Sequence, residues 1–65
     1  MAKNLWYSTY TKRGKLVELW ELSPNKYQIV ELDKRTEKPI DILATKSHPL
    51  SILQAWDRIT TNSLY

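Results

Sequence analysis

The chain has 65 residues, a mass of 7.7 kDa and a formal net charge of +3, with a pI near 9.3. It contains no cysteine and one histidine, His48, which excludes a disulfide framework, a thiolate metal site and a histidine cluster. No run approaches the ~18 apolar residues of a membrane span, and a domain this small buries only ~60% of its unfolded surface, so apolar packing or a partner must hold it. The 42% hydrophobic content, with three Trp and four Tyr, is enough for one small core and too high for a disordered chain.

A first strand is expected over residues 5–12, from Leu5-Trp6-Tyr7-Ser8-Thr9-Tyr10-Thr11. The only glycine, Gly14, stands in Lys12-Arg13-Gly14-Lys15, where Arg13-Gly14 suits a two-residue hairpin turn. A second strand follows over 15–22, through Leu16-Val17-Glu18-Leu19-Trp20-Glu21-Leu22. Ser23-Pro24-Asn25-Lys26 has the residues of a type I turn. The third strand is expected over 27–33 and a polar loop, Asp33 to Lys38, leads to a fourth strand over 39–45.

The periodicity then changes. Leu50, Ile52, Leu53, Trp56 and Ile59 recur at helical spacing, with Gln54, Asp57 and Arg58 between them. Ser47 or His48 can cap this helix and Pro49 fits its first turn, so a helix is expected over 48–61. The whole chain, 1–65, reads as one small α+β domain: a four-stranded antiparallel β-meander packed against one C-terminal α-helix. The alternative is a sheet curled into a small barrel.

Tight turns and a loop symmetric about Thr36 set an expected register. Val17, Leu19, Val30, Leu32, Ile40, Ile42 and Ala44 then share one face with Trp6 and Tyr10, under the helix stripe Ile52, Leu53, Trp56 and Ile59. The opposite face carries Leu5, Tyr7, Trp20, Leu22, Tyr27, Ile29 and Leu43, with Glu18, Glu31 and Asp41 on neighbouring strands. Like charges facing one another across strands are unfavourable, so this register requires neutralising groups or a slip by one residue.

Six of the ten Lys and Arg residues fall in two turns: Lys12, Arg13 and Lys15 in one, Lys34, Arg35 and Lys38 in the other. The order of an antiparallel meander places both turns at one end of the sheet. Clustered Lys and Arg neutralise phosphates and release counterions, which makes these six residues the expected contacts to DNA or RNA. The competing expectation is a protein-interaction module, such as an inhibitor or accessory factor of phage or mobile-element type, or a homodimer. It would use Tyr7, Trp20 and Tyr27 as anchors and Glu18, Glu31 and Asp41 as a charged rim.

Catalytic patterns are missing from the sequence. One glycine cannot build a phosphate-cradling loop, and no Ser or Thr has an evident His–carboxylate partner. Glu18 and Glu31 imitate a glycosidase pair, but a domain of this size has no cleft to dehydrate them. The expectation is a non-enzymatic protein with no metal and no cofactor. Residues 1–4 (Met-Ala-Lys-Asn) carry no signal-type apolar run, which with the missing cysteines points to the cytoplasm and away from membranes.

The order of three or four strands followed by a C-terminal helix resembles the arm-type DNA-binding domains of phage tyrosine integrases. It is similar, too, to the small basic archaeal chromatin proteins, which pair a tiny barrel with a final helix. The resemblance lies in element order, and what it implies is DNA contact through the sheet.

Overall fold

A computed structural model describes residues 3–11 and 14–63. Four strands, β1 (Asn4–Tyr10), β2 (Lys15–Ser23), β3 (Lys26–Asp33) and β4 (Pro39–Lys46), precede one helix, α1 (Pro49–Ser63). The sheet is antiparallel with order β1-β2-β3-β4, as the meander requires. It is not closed, so the barrel alternative is not adopted; β1 and β4 remain edges. The principal extents of 31 × 24 × 16 Å fit two layers, one of sheet and one of helix.

The connections depart from the simplest turns, and each departure changes a face. Tyr10 pairs with Leu16, the Thr11 N–H donates to the Lys15 carbonyl at 2.8 Å, and the Gly14 N–H donates to the Thr11 carbonyl at 3.0 Å. The first loop therefore has three residues, 12–14, with Gly14 at φ 79°. That is the three-residue hairpin loop ending in a left-handed glycine, and not the two-residue turn expected at Arg13-Gly14. Ser23 does pair with Lys26 around Pro24-Asn25, but a bulge between Glu21 and Ser23 shifts the register beyond it. Two more shifts interrupt β3–β4 and one interrupts β1–β2 between Leu5 and Tyr7.

The result is three rows on each face of the sheet, since directly paired residues share a face. The helix-side rows are Thr9–Val17–Glu31–Asp41, Tyr7–Leu19–Ile29–Ala44 and Asn4–Glu21–Tyr27–Lys46. The helix-free rows are Tyr10–Leu16–Leu32–Pro39, Ser8–Glu18–Val30–Ile42 and Leu5–Trp20–Gln28–Thr45.

Val17, Leu19, Ala44 and Trp6 lie on the helix side as expected, and Trp20 and Leu5 on the other. The expectation inverts for β3: Val30 and Leu32 face away from the helix, and Tyr27 and Ile29 face it. Ile42 joins Val30, Tyr10 joins Leu16, and Leu43 packs on the helix-side core. The bulge at Leu22 is the cause for β3, the three-residue loop for β1. The β1 bulge also lets two successive aromatics serve the helix side. Trp6 meets Tyr27 at a ring-centroid distance of 5.0 Å, and Tyr7 stacks on Trp56 of α1 at 5.8 Å.

The core is built from Val17, Leu19, Tyr27, Ile29 and Ile52. Trp6, Leu43, Ala44, Leu53, Trp56 and Ile59 pack around it. Each large apolar side chain so buried stabilises by ~1.5–3 kcal/mol. Leu50, which shares the helical spacing but not the expected stripe, is 74% exposed, because the helix reaches the sheet only from Ile52 onward. The helix starts at Pro49, whose fixed φ suits a first helical position. The His48 carbonyl accepts the first helical bond, from Ile52 N–H at 3.1 Å.

Candidate nucleic-acid interface

Lys15 opens β2 and pairs directly with Asp33, which closes β3. The first and third loops consequently lie side by side at one end of the sheet. Gly14, Lys15, Asp33, Lys34 and Arg35 line a single open depression of about 550 Å³ between them. Lys34, Arg35 and Lys38 are exposed. Lys12 and Arg13 lie outside the described residues.

The third loop is held by its own hydrogen bonds. Asp33 and Lys38 close it, with the Asp33 N–H donating to the Lys38 carbonyl at 3.0 Å and the Glu37 N–H donating to the Asp33 carbonyl at 2.7 Å. The Asp33 carboxylate accepts from the backbone N–H of Arg35 at 2.7 Å and of Thr36 at 3.2 Å. This is the local side-chain-to-backbone turn that Asp favours. By sequence Asp33 only dilutes the positive charge. In the fold it fixes the backbone from which Lys34 and Arg35 project. Glu37 completes the loop at φ 57°, a left-handed conformation.

Tyr10 is a member of this end that the expected register placed under the helix. The residue is 56% exposed on the helix-free face, and the Lys34 ammonium lies 5.3 Å from its ring centroid. That distance is within cation–π range. In reaching from the end of β3 to a ring on β1, Lys34 spans the width of β2. Beneath them the cross-strand pair Leu16 and Leu32 is buried. The signal that finds Tyr10 is Lys-Arg-Gly-Lys read as a three-residue loop with glycine last, which flips the parity of β1 against β2. Arg58, which runs back along the helix, lines a separate recess with Lys46, Ser51 and Gln54.

The six residues of the expected protein-binding surface divide between faces. Tyr27 is 4% exposed, packs in the core and donates its hydroxyl to the Pro24 carbonyl at 3.3 Å. Tyr7 stacks on Trp56 on the helix side. Trp20 lies on the helix-free face, where its Nε1–H donates to the Glu18 carboxylate at 3.0 Å. Glu31 and Asp41 sit opposite each other on the helix side, so the three carboxylates do not form one cluster. The helix-free face holds a second groove, of about 300 Å³, lined by Glu18, Trp20, Leu22, Val30 and Leu32 among others.

Among the described residues, no group of three or more His, Asp or Glu side chains is placed to hold a metal ion. No helix there is long and apolar enough to cross a membrane. The chain matches no family model, no curated protein and no solved structure.

Proposed function

We propose that this protein is a non-catalytic, cytoplasmic nucleic-acid-binding protein whose basic loop end contacts phosphates. The observation that carries the reading is the shared depression: two loops distant in sequence present Lys15, Lys34 and Arg35 around one cavity. Lys38, whose carbonyl accepts from the Asp33 N–H, adds charge to the third loop, and Lys12 and Arg13 precede Gly14 in the sequence. Cations gathered on one edge neutralise neighbouring phosphates together, and the gain is the release of their condensed counterions. Asp33 also lines the depression, where its carboxylate holds the loop backbone by accepting from the Arg35 and Thr36 N–H groups.

The second reading is a protein-interaction surface, which includes self-association, on the helix-free face. It is favoured by apolar exposure there: Leu5 is 46% and Ile42 55% exposed, beside the groove at Trp20. Exposed contiguous apolar surface marks contact sites in small soluble proteins.

One experiment separates the two. Fluorescence anisotropy with random-sequence duplex and single-stranded DNA and RNA at low salt is expected to detect binding. Combining Lys34→Glu with Arg35→Glu is expected to weaken it at least tenfold, since each removes a cation and adds an anion at the phosphate path. No binding at low salt removes the nucleic-acid reading and leaves the protein-interaction reading standing.

A further inference from the structure

We infer that the nucleic acid taken by the basic end is single-stranded and that Tyr10 stacks one of its bases. The inference rests on the phosphate-binding reading above and adds the ligand's class and a residue that reads it.

Three observations meet at Tyr10. The residue is more than half exposed, at the end of β1 that adjoins the basic loops. The same Lys34 that lines the basic depression stands over that ring, 5.3 Å from its centroid. Ring and cation are therefore within one nucleotide's reach of each other, as a base and its own phosphate are. Finally, Tyr10 belongs to the row Tyr10–Leu16–Leu32–Pro39 on the face the helix leaves open, in which Leu16 and Leu32 are buried and Tyr10 and Pro39 stand exposed at the two edges.

A duplex makes poor use of this arrangement. Its bases are stacked on one another and present edges in the grooves, whereas its outer surface is phosphate. The face of an aromatic ring offers nothing to phosphate, which only the Tyr10 hydroxyl can meet. An unpaired base has a free π-face, which stacks on an aromatic side chain regardless of sequence. The present partner of the ring, the Lys34 ammonium, also has a better one in that complex. A phosphate takes the ammonium and the base takes the ring.

Charge on the same face limits how far the strand runs. The next row holds Glu18, its carboxylate accepting from Trp20 Nε1 at 3.0 Å. A phosphate backbone passing down the sheet would meet this anion. The strand's backbone thus stays on the loops and only its bases reach over the sheet, at Tyr10 first.

The test uses the full chain and fluorescein-labelled oligothymidine and oligouridine of about 12 nucleotides, within the ~4–16-nucleotide footprint of small single-strand-binding folds. A matched duplex is run in parallel at low salt. Tyr10→Ala is expected to weaken single-strand binding about tenfold and to change duplex binding less than about twofold. Tyr10→Ile, which keeps strand propensity and apolar contact but has no ring, is expected to behave like Tyr10→Ala, and Tyr10→Trp to restore binding. The two oligonucleotides distinguish DNA from RNA as the source of the base. If both ring deletions leave single-strand affinity unchanged, or lower single-strand and duplex affinity alike, while the Lys34→Glu and Arg35→Glu pair abolishes binding, the stacking inference is overturned and the phosphate site stands. Loss of all binding in the parent chain overturns both.

Discussion

Two backbone positions shape the basic loops, and they are occupied oppositely. Gly14 at φ 79° and Glu37 at φ 57° both take left-handed conformations, one with the residue suited to it and one without. A Cβ placed at Gly14 meets nothing within 4 Å, so Gly14→Ala costs its dihedral strain, about 1–2 kcal/mol, less the ~0.4–1 kcal/mol that a stiffer unfolded chain returns. Glu37→Gly relieves the same strain but loosens the unfolded chain, which takes back about 0.4–1 kcal/mol, so a net gain of about 0.5–1 kcal/mol is expected. Urea denaturation checks both. A loss at Gly14 paired with a gain at Glu37 is expected, and equal signs would contradict the assigned loop geometry. Glu37→Gly also takes one carboxylate off the phosphate path and should tighten nucleic-acid binding slightly.

At the scale of the element, Ile52 is the fully buried residue of the helix, with Leu53, Trp56 and Ile59 packed partly buried around it. Ile52 is fully buried against Val17, Leu19 and Ile29, whereas Leu50 stands in solvent. Ile52→Ala is expected to cost ~2–5 kcal/mol. Against a total of roughly 3–10 kcal/mol for a chain of this size, that is enough to unfold much of the population at 37 °C. Leu50→Ala should stay within about 0.5 kcal/mol of the parent. Near-UV circular dichroism from Trp6 and Trp56, followed through a thermal melt, distinguishes these outcomes.

The elements were legible because β-branched and aromatic runs alternate with turn residues, and because the period changes after Ser47. The faces of β3 were not. Tyr27 and Ile29 on one parity and Val30 and Leu32 on the other are equally apolar, so the pattern cannot choose between them. The bulge at Leu22 decides, and a leucine between Glu21 and Ser23 announces no bulge. Tyr10 was misplaced for a related reason: Arg13-Gly14 fits a two-residue turn and the end of a three-residue loop equally well.

Taken whole, the molecule is a two-layer slab with a charged end and an uncovered face. The convergence of Lys15 with Lys34 and Arg35 was legible from strand order alone, because an even number of reversals returns the chain to the same end. The neighbouring ring was not, since it depends on the parity of a single loop. The anticipated carboxylate cluster dissolved with the bulge at Leu22, which takes Glu31 and Asp41 away from Glu18 and removes much of the negative charge that opposed nucleic acid on the helix-free face. A basic end that adjoins an exposed aromatic ring through one shared lysine is the arrangement on which the functional account stands.

Phosphate binding by the basic loops is tested most directly by the salt dependence of oligothymidine binding. Four to six phosphate contacts predict that log K falls against log[salt] with a slope of roughly −3 to −4 for a single strand. Reversing Lys34 and Arg35 should flatten that slope by about 1.4. A slope near zero, or one that the double reversal leaves unchanged, would contradict a phosphate-binding role for the basic loops.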